Sequence, residues 1–556
     1  MINIDNLDNE NYSQFQYLVK SRYSFAVTGL IAILRLFLLK QAAKISKKKV
    51  LFITTTEQNA LKYQNDLRRA FDVEAALLPF QNISMYETIA PNGYEYAEQI
   101  RILREKPEIV IAPVKVMLEK FPDERFFEEN SIKLKVGDEI NIKQTGETLV
   151  NLGYKRSTMV SDIGEFSIRG DIIDIYSLDK KPVRIELWGD EIVDLRYFDN
   201  ETQKSIEKIK EFEILPFHKF VCYARRDIGT IQDKNSDEGI NDFKKLSPEL
   251  SEQLQEEGYF EGIDVYQSYF NENLVSALDY FKDYLVITDE TAEVYSKFES
   301  FDEGYERQIA ENLKLGLHYE LKDRNHVTFE GFIQKLAGFV KIGYNNFLDD
   351  EMDEIVEFNT LPLKNFEAHL DEIAKFINDN SNYNIVIATD YKERVKEILK
   401  EREVFKLITF TESITSHGGI LEDFKTIIFT DRELFNKRSK EVTAARKSYY
   451  KEKPEYIENI NDIKEGEYVV HSIHGVGIYR GLSQQEIDGQ LKDYLTIEYA
   501  AKDRLHIPAE QINLLVRYRG SGAIKPKLSR MGGKDWENTK ARVKKEVEQV
   551  AYDLLR

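Results

Sequence analysis

Residues 466–518 read GEYVVHSIHGVGIYRGLSQQEIDGQLKDYLTIEYAAKDRLHIPAEQINLLVRY, and the spacing of apolar side chains here decides what this end of the chain becomes. Val469, His471 and Ile473 alternate with Val470, Ser472 and His474, and the same period of two returns in Tyr494–Tyr499 and Leu505–Ile507. Successive side chains of a strand point to opposite faces, so the pattern predicts pleated strands with one buried face. Gly475 and Gly477 break one strand from the next, Asp488-Gly489 is a two-residue hairpin turn, and Pro508 ends the last strand. Five short strands in so short a span predict a small β-barrel of the SH3/Tudor-like kind. Its exposed edge would offer a docking surface to another sheet.

Two runs within this stretch, VVHSIHGVGIYRGL (469–482) and DYLTIEYAAKDRLHIPAEQINLLVRY (493–518), closely resemble the RNA-polymerase-interacting domain of bacterial transcription-repair coupling factors, a module shared with CarD-type transcription regulators. The resemblance implies that the hairpin strand after the Gly-Val-Gly turn pairs edge to edge with the β subunit of RNA polymerase. Here that strand is Leu482, Ser483, Gln484, Gln485, Glu486 and Ile487. The family can have an apolar residue where this chain has Gln485, a change that backbone pairing tolerates because main-chain hydrogen bonds do not depend on side-chain identity. His471-x-x-His474 places two histidines on opposite faces of a strand with no Cys partner, which favours structural histidines over a metal site.

The 556 residues exceed one hydrophobic core and predict several domains. A composition of 42% hydrophobic and 31% charged residues is that of a globular chain. A formal charge of −20 makes the molecule as a whole a poor binder of polyanions, so any nucleic-acid contact must be local. The segment 517–556 is basic, with 11 Lys/Arg against 5 Asp/Glu. A single cysteine, Cys222, forms no internal disulfide, the start is acidic and polar, and the most apolar run, Phe25–Leu39, is broken by Arg35. The expectation is a cytoplasmic protein, a monomer without membrane contact.

Upstream, strand, turn and helix alternate: Ser24–Val27, Thr28-Gly29, Leu30–Lys44, then Val50–Thr54, Gln58–Ala70 and Ile109–Ala112. Residues 1–130 therefore read as a parallel α/β layer of helicase type. A working phosphate loop needs G-x-x-x-x-G-K-[ST], and the corresponding VTGLIAILRLFLLK (27–40) keeps only Thr28 and Gly29. Apolar Ile31–Leu34 stand where the phosphate-binding lysine belongs. A relic filled by apolar packing is favoured over an ATP site built on Arg35 or Lys40, so no cofactor is expected. The family resemblance agrees: the first domain of the coupling factors looks like the damage-recognition protein UvrB with its nucleotide motifs lost.

Residues 131–216 turn β-rich, with strands expected at Lys133–Val136, Glu165–Arg169, Ile172–Tyr176, Val183–Leu187 and Ile192–Tyr197. GEFSIRGDIIDIYSLDKKPVRIELWGDEIVDLRYFD (164–199) resembles the domain by which UvrB and the coupling factors bind the excision-repair protein UvrA, and Arg169, Arg184 and Trp188 fall at matching positions. Arginine pairs bidentately and tryptophan is a large anchor, which suits a hot spot. The rival reading pairs both arginines with Asp171, Asp174 or Glu186 on a solvated sheet face. Residues 217–345 are helical and aromatic, with strands expected at Tyr284–Ile287 and His326–Phe329, and are expected to complete the first α/β domain. Residues 346–436 form a smaller α/β unit whose strand Thr426–Thr430 leads into Asp431, an acid that could hold magnesium but is favoured as a solvated strand end. Then come a basic linker, 437–461, the barrel, 462–519, and 520–556, a linker and the start of an amphipathic connecting helix.

These features point to the non-motor, amino-terminal part of a transcription-repair coupling factor: an adaptor that binds stalled RNA polymerase and recruits UvrA for nucleotide excision repair. It would perform no chemistry alone. By resemblance, ATP, Mg2+ and most DNA contact belong to motor domains absent from the chain. The alternatives are a divergent UvrB-type ATPase or helicase, and a CarD-like regulator without a repair role.

Overall fold

The computed structural model describes residues 2, 4, 7–80, 93–178, 181–200, 202–219, 247–257, 266–271, 273–314, 324–346, 352, 354–404, 407–435, 463–471, 475–487, 490–500, 504–508, 515–517 and 528. They fall in two units, Met1–Glu441 and Val442–Arg556. The linker 437–461, the Asp488-Gly489 turn, Cys222 and the connecting helix lie outside the described residues, as do the side chains of His471 and His474.

The first unit is built on a seven-stranded parallel sheet. Its order is Ile355–Glu357, Phe25–Thr28, Lys341–Tyr344, Leu285–Asp289, Val50–Thr54, Ile109–Pro113 and Ala76–Leu77. The runs FAVT, VLFIT, IVIAP and LVITD are buried at every position, as expected of strands covered on both faces. Helix Ala32–Ser46 is apolar nearly all round over its first half, so Ile33–Leu39 lie in the core, with Ile33, Leu34, Leu36, Leu38 and Leu39 inaccessible to solvent, while Lys44 near its end is exposed. Helix Glu57–Phe71 is instead amphipathic and starts at Thr56, whose side chain accepts from the Asn59 N–H.

Between strands Ile109–Pro113 and Leu285–Asp289 the chain leaves this sheet. Strands Ile132–Lys135 and Glu211–Ile214 pair antiparallel and tie the start of the insert to its end. Between them a six-stranded sheet runs in sequence order from Lys155–Arg156 through Glu165–Arg169, Ile172–Ile175, Val183–Trp188 and Glu191–Phe198 to Ser205–Ile209. One face packs Phe166, Ile173, Ile175, Val183, Ile185 and Leu195 with Leu149 of helix Ile142–Asn151. The strand expected at His326–Phe329 is only a single bridge, His326 to Glu119, because Thr328 caps a helix beginning at Phe329.

A third sheet orders Thr360–Pro362, Gly419–Leu421, Thr426–Thr430, Asn384–Ala388 and Ile408–Thr411. Its Val386, Leu421, Phe424 and Ile428 share a core with the seven-stranded sheet. The loop between strands Ile408–Thr411 and Gly419–Leu421 is pinned to helix Glu57–Phe71 by Asp66, which accepts from the N–H groups of Thr415 (2.7 Å) and Ser416 (2.8 Å).

The second unit holds one five-stranded antiparallel sheet in the order Arg504–Pro508, Gln490–Glu498, Gly475–Ile487, Tyr468–His471 and Leu515–Arg517. It buries Val469, Tyr479, Leu495, Ile497, Tyr499, Ile507 and Leu515. Strands Tyr468–His471, Gln490–Glu498 and Arg504–Pro508 coincide with the alternating runs, whereas Gly477, expected to break one strand from the next, lies inside Gly475–Ile487 opposite Val469, and Leu515–Arg517 falls outside those runs. Among the described residues no pairing joins the two outer strands, so what is seen is a sheet rather than a closed barrel.

Candidate partner-binding surfaces

Across the insert sheet, register places Ser167, Asp174, Arg184, Arg196 and Lys208 in one row on five neighbouring strands. Three cations directly opposite one another repel, and carboxylates in and beside the row compensate. Asp174 is completely buried. Its Oδ1 accepts from Arg184 Nε at 2.6 Å and its Oδ2 from Arg184 Nη2 at 2.9 Å and Arg169 Nη2 at 2.5 Å. Glu186 accepts from Arg196 at 2.6 Å, and Asp194 pairs with both Arg196 and Lys208.

The three residues singled out in the sequence differ in what they offer a partner. The Arg184 side chain is only 14% exposed, held bidentately by Asp174 and stacked 4.7 Å from the Phe198 ring centroid. Arg169 is 48% exposed and uses one nitrogen on Asp174, leaving guanidinium donors toward solvent. Trp188 is 82% exposed at the end of its strand, opposite Glu191 across the turn made by Gly189 and Asp190. A tryptophan left this open on a rigid hairpin is the kind of anchor that partner interfaces bury. The arginines do pair with Asp174, as the rival reading had it, but the pairing presets their geometry and leaves Arg169 and Trp188 available.

In the second unit the long strand Gly475–Ile487 meets Tyr468–His471 only through Gly475–Ile478, and Tyr479 exchanges backbone bonds with Glu467 and Gly466. Gly481, with φ +99°, and a bulge between Tyr479 and Leu482 redirect the strand. From Leu482 to Ile487 it pairs with Gln490–Leu495 on one side, and among the described residues no strand pairs its other side. Leu482 is 52% exposed at the base of this hairpin. The side chains of Gln484, Gln485, Glu486 and Ile487 lie outside the described residues, but their backbones form a projecting edge of the kind that accepts a further strand.

The turn after strand Phe25–Thr28 is covered by protein. Gly29 has φ +70°, and a Cβ there would sit 1.8 Å from the Phe358 carbonyl oxygen; Phe358 N–H donates to the Thr28 carbonyl and Thr360 Oγ1 to that of Gly29. One helical turn on, buried Arg35 forms ion pairs with Asp289 and Glu290 at the carboxyl end of a neighbouring strand, and donates to Asn346 Oδ1 at 2.9 Å. Asp289 also accepts from Thr54 Oγ1 at 2.8 Å, and Glu290 from the Asn346 N–H at 3.1 Å. Burial works against the Arg35 charge, but the carboxylates outweigh it and hold the guanidinium protonated. Lys40, the other basic residue considered there, instead donates to the Phe71 carbonyl.

Asp431 is not the solvated strand end expected of it. It is buried, with Oδ1 accepting from Thr389 Oγ1 and Oδ2 from the Asp390 N–H, because the helix Asp431–Phe435 starts directly at the strand end and turns the carboxylate inward. Removing these acceptors with Asp431→Ala is expected to cost about 1–3 kcal/mol of stability, by leaving the buried Thr389 O–H without an acceptor while its oxygen still accepts from the Tyr391 N–H; urea denaturation checks it.

The chain matches two family models: the UvrB interaction domain over residues 132–220 and the CarD-like/TRCF RID domain over residues 463–519. Both surfaces described above fall within these matches. Along 98% of its length the chain is also similar to proteins named transcription-repair-coupling factor, at 27% identity to that of Staphylococcus aureus (strain MRSA252) and 27% to that of Staphylococcus haemolyticus. It covers 49% and 50% of those proteins, so it spans about half the length of the curated relatives it matches. No helix among the described residues is long and apolar enough to cross a membrane.

Proposed function

We propose that this chain is an adaptor region of a transcription-repair coupling factor: it holds the β subunit of RNA polymerase through the hairpin edge Leu482–Ile487 and recruits UvrA through the insert face around Arg169 and Trp188. The observation that carries the reading is the pair of unfilled binding features, an open tryptophan and an open strand edge, each inside a domain whose family name is that of a partner-binding module. In this reading the five-stranded sheet closes into the small barrel expected from its sequence. The chain acts as a monomer and needs no cofactor: ATP, Mg2+ and most DNA contact belong to the half of the relatives that it does not cover.

Separate pull-downs of the purified chain with RNA polymerase and with UvrA test it. Leu482→Asp places a charge beside the docking edge and is expected to weaken polymerase capture by roughly tenfold or more while sparing UvrA capture. Arg169→Ala with Arg184→Ala is expected to do the reverse, and equal loss of both partners would sink the two-surface assignment. The CarD-like alternative predicts polymerase capture without UvrA. The ATPase alternative predicts DNA-stimulated nucleotide turnover, against which stands Arg35 paired with the acids where a metal-bound phosphate would need room.

A further inference from the structure

We infer that Asp302, Glu306 and His326 form a binding site for one divalent transition-metal ion of the Zn2+ class. Asp302 and Glu306 lie one turn apart on helix Thr291–Lys314, so both project from one face. His326 comes from the segment that bridges to Glu119, and the three potential ligand atoms lie within 4.8 Å of one another. The imidazole Nε2 stands 2.8 Å from Asp302 Oδ1 and 3.4 Å from Glu306 Oε1. The second Asp302 oxygen accepts the Phe329 N–H at 2.6 Å, a bond that orients the carboxylate and leaves Oδ1 directed at the histidine.

Hydrogen bonding alone leaves this group incompletely satisfied. His326 is only 3% exposed, and its Nε2 faces a carboxylate oxygen of each acid. A ring that donates from Nε2 to Asp302 offers nothing to Glu306 Oε1, a buried oxygen with no hydrogen-bond partner among the described residues. With the proton on Nδ1, which also has no such partner, the Nε2 lone pair faces two carboxylates. Among the described residues the cation paired with Glu306 is Arg324, whose Nε is 3.2 Å from Glu306 Oε1 on a side chain that is 62% exposed. A metal ion on Nε2 and one oxygen of each carboxylate resolves the conflict: ligand distances of about 2.0–2.2 Å need only small side-chain rotations, and one nitrogen with two oxygens is a donor set that Zn2+ accepts. Bound there, the ion would tie the far half of the long helix to helix Phe329–Leu336, which Thr328 and Asp302 both cap.

The test is titration of the chelator-treated chain with Zn2+ by calorimetry and with Co2+ by visible absorption. The expected result is uptake of about one equivalent and a d–d spectrum of a low-coordinate site. Glu306→Gln, at a partly exposed position, should weaken binding by roughly tenfold or more while leaving the melting temperature in chelator unchanged. Arg324→Gln removes the competing cation and should tighten binding. The inference is overturned if no saturable binding occurs, or if Glu306→Gln and Asp302→Asn bind Zn2+ as the parent does.

Discussion

Replacing Arg35 with methionine is expected to destabilise the first unit by about 3–5 kcal/mol, read as a lower urea midpoint, because it strands two carboxylates in a site built around one guanidinium. Methionine fills most of the arginine's volume, so the loss measures the charge and not a cavity. The partner change decides the interpretation: Arg35→Met combined with Asp289→Asn and Glu290→Gln should recover much of the loss, since removing all the charges together leaves nothing unpaired. A triple variant no more stable than Arg35→Met would mean that Arg35 contributes through its stem alone. The same cluster bears on nucleotide. A phosphate with its metal would have to displace a guanidinium already neutralised by two acids, beside a turn whose glycine touches the Phe358 backbone. Calorimetry with Mg·ATP is accordingly expected to show no binding to the parent chain.

That cluster was only half legible in the sequence. The missing Gly-Lys-Ser/Thr after Gly29 was visible, and it suggested a pocket filled by aliphatic side chains. Ile33 and Leu34 are indeed in the core, but the polar side of the pocket depends on residues about 250 positions apart, Arg35 with Asp289, that meet only because helix Ala32–Ser46 packs against strand Leu285–Asp289 of the parallel sheet. No local period records such a pairing. The strands themselves were readable wherever burial was uniform or strictly alternating, as in VLFIT, IVIAP and the second unit. The His326–Phe329 segment misled because Thr328 acts as a cap, and a cap overrides the β propensity of the valine before it.

The insert face shows a subtler limit. Counting back from the two-residue turn that joins Trp188 to Glu191 sets Arg184 opposite Leu195, on the core side. A bulge at Glu186/Leu187 shifts the register by one and sets it opposite Arg196 instead, with Lys208 beyond. The sequence therefore offered Arg169, Arg184 and Trp188 through their motif and Asp174 as one of three candidate partners, but gave no sign of Arg196 nor of which carboxylate both arginines would share. With the register known, the row separates residues that meet solvent from residues that hold them in place.

That separation yields the other large expected effect. Trp188→Ala should weaken UvrA capture by at least about 2 kcal/mol, roughly 30-fold in Kd, while changing the chain's own stability by less than about 0.5 kcal/mol, because a side chain 82% exposed has little packing to lose. Asp174→Asn should behave differently. It removes the charge that positions Arg169 and Arg184 and leaves Arg184 facing Arg196 uncompensated, so binding and stability should fall together. Arg169→Lys keeps the charge but loses the planar fork, and should recover part of what Arg169→Ala loses if the contact is electrostatic and little of it if the contact is bidentate. Surface plasmon resonance against immobilised UvrA, run beside urea denaturation of each variant, separates these cases. Unchanged UvrA affinity in a folded Trp188→Ala variant would remove the anchor from this face and move the search to the edge strand Ser205–Ile209, where Ile206 is also exposed.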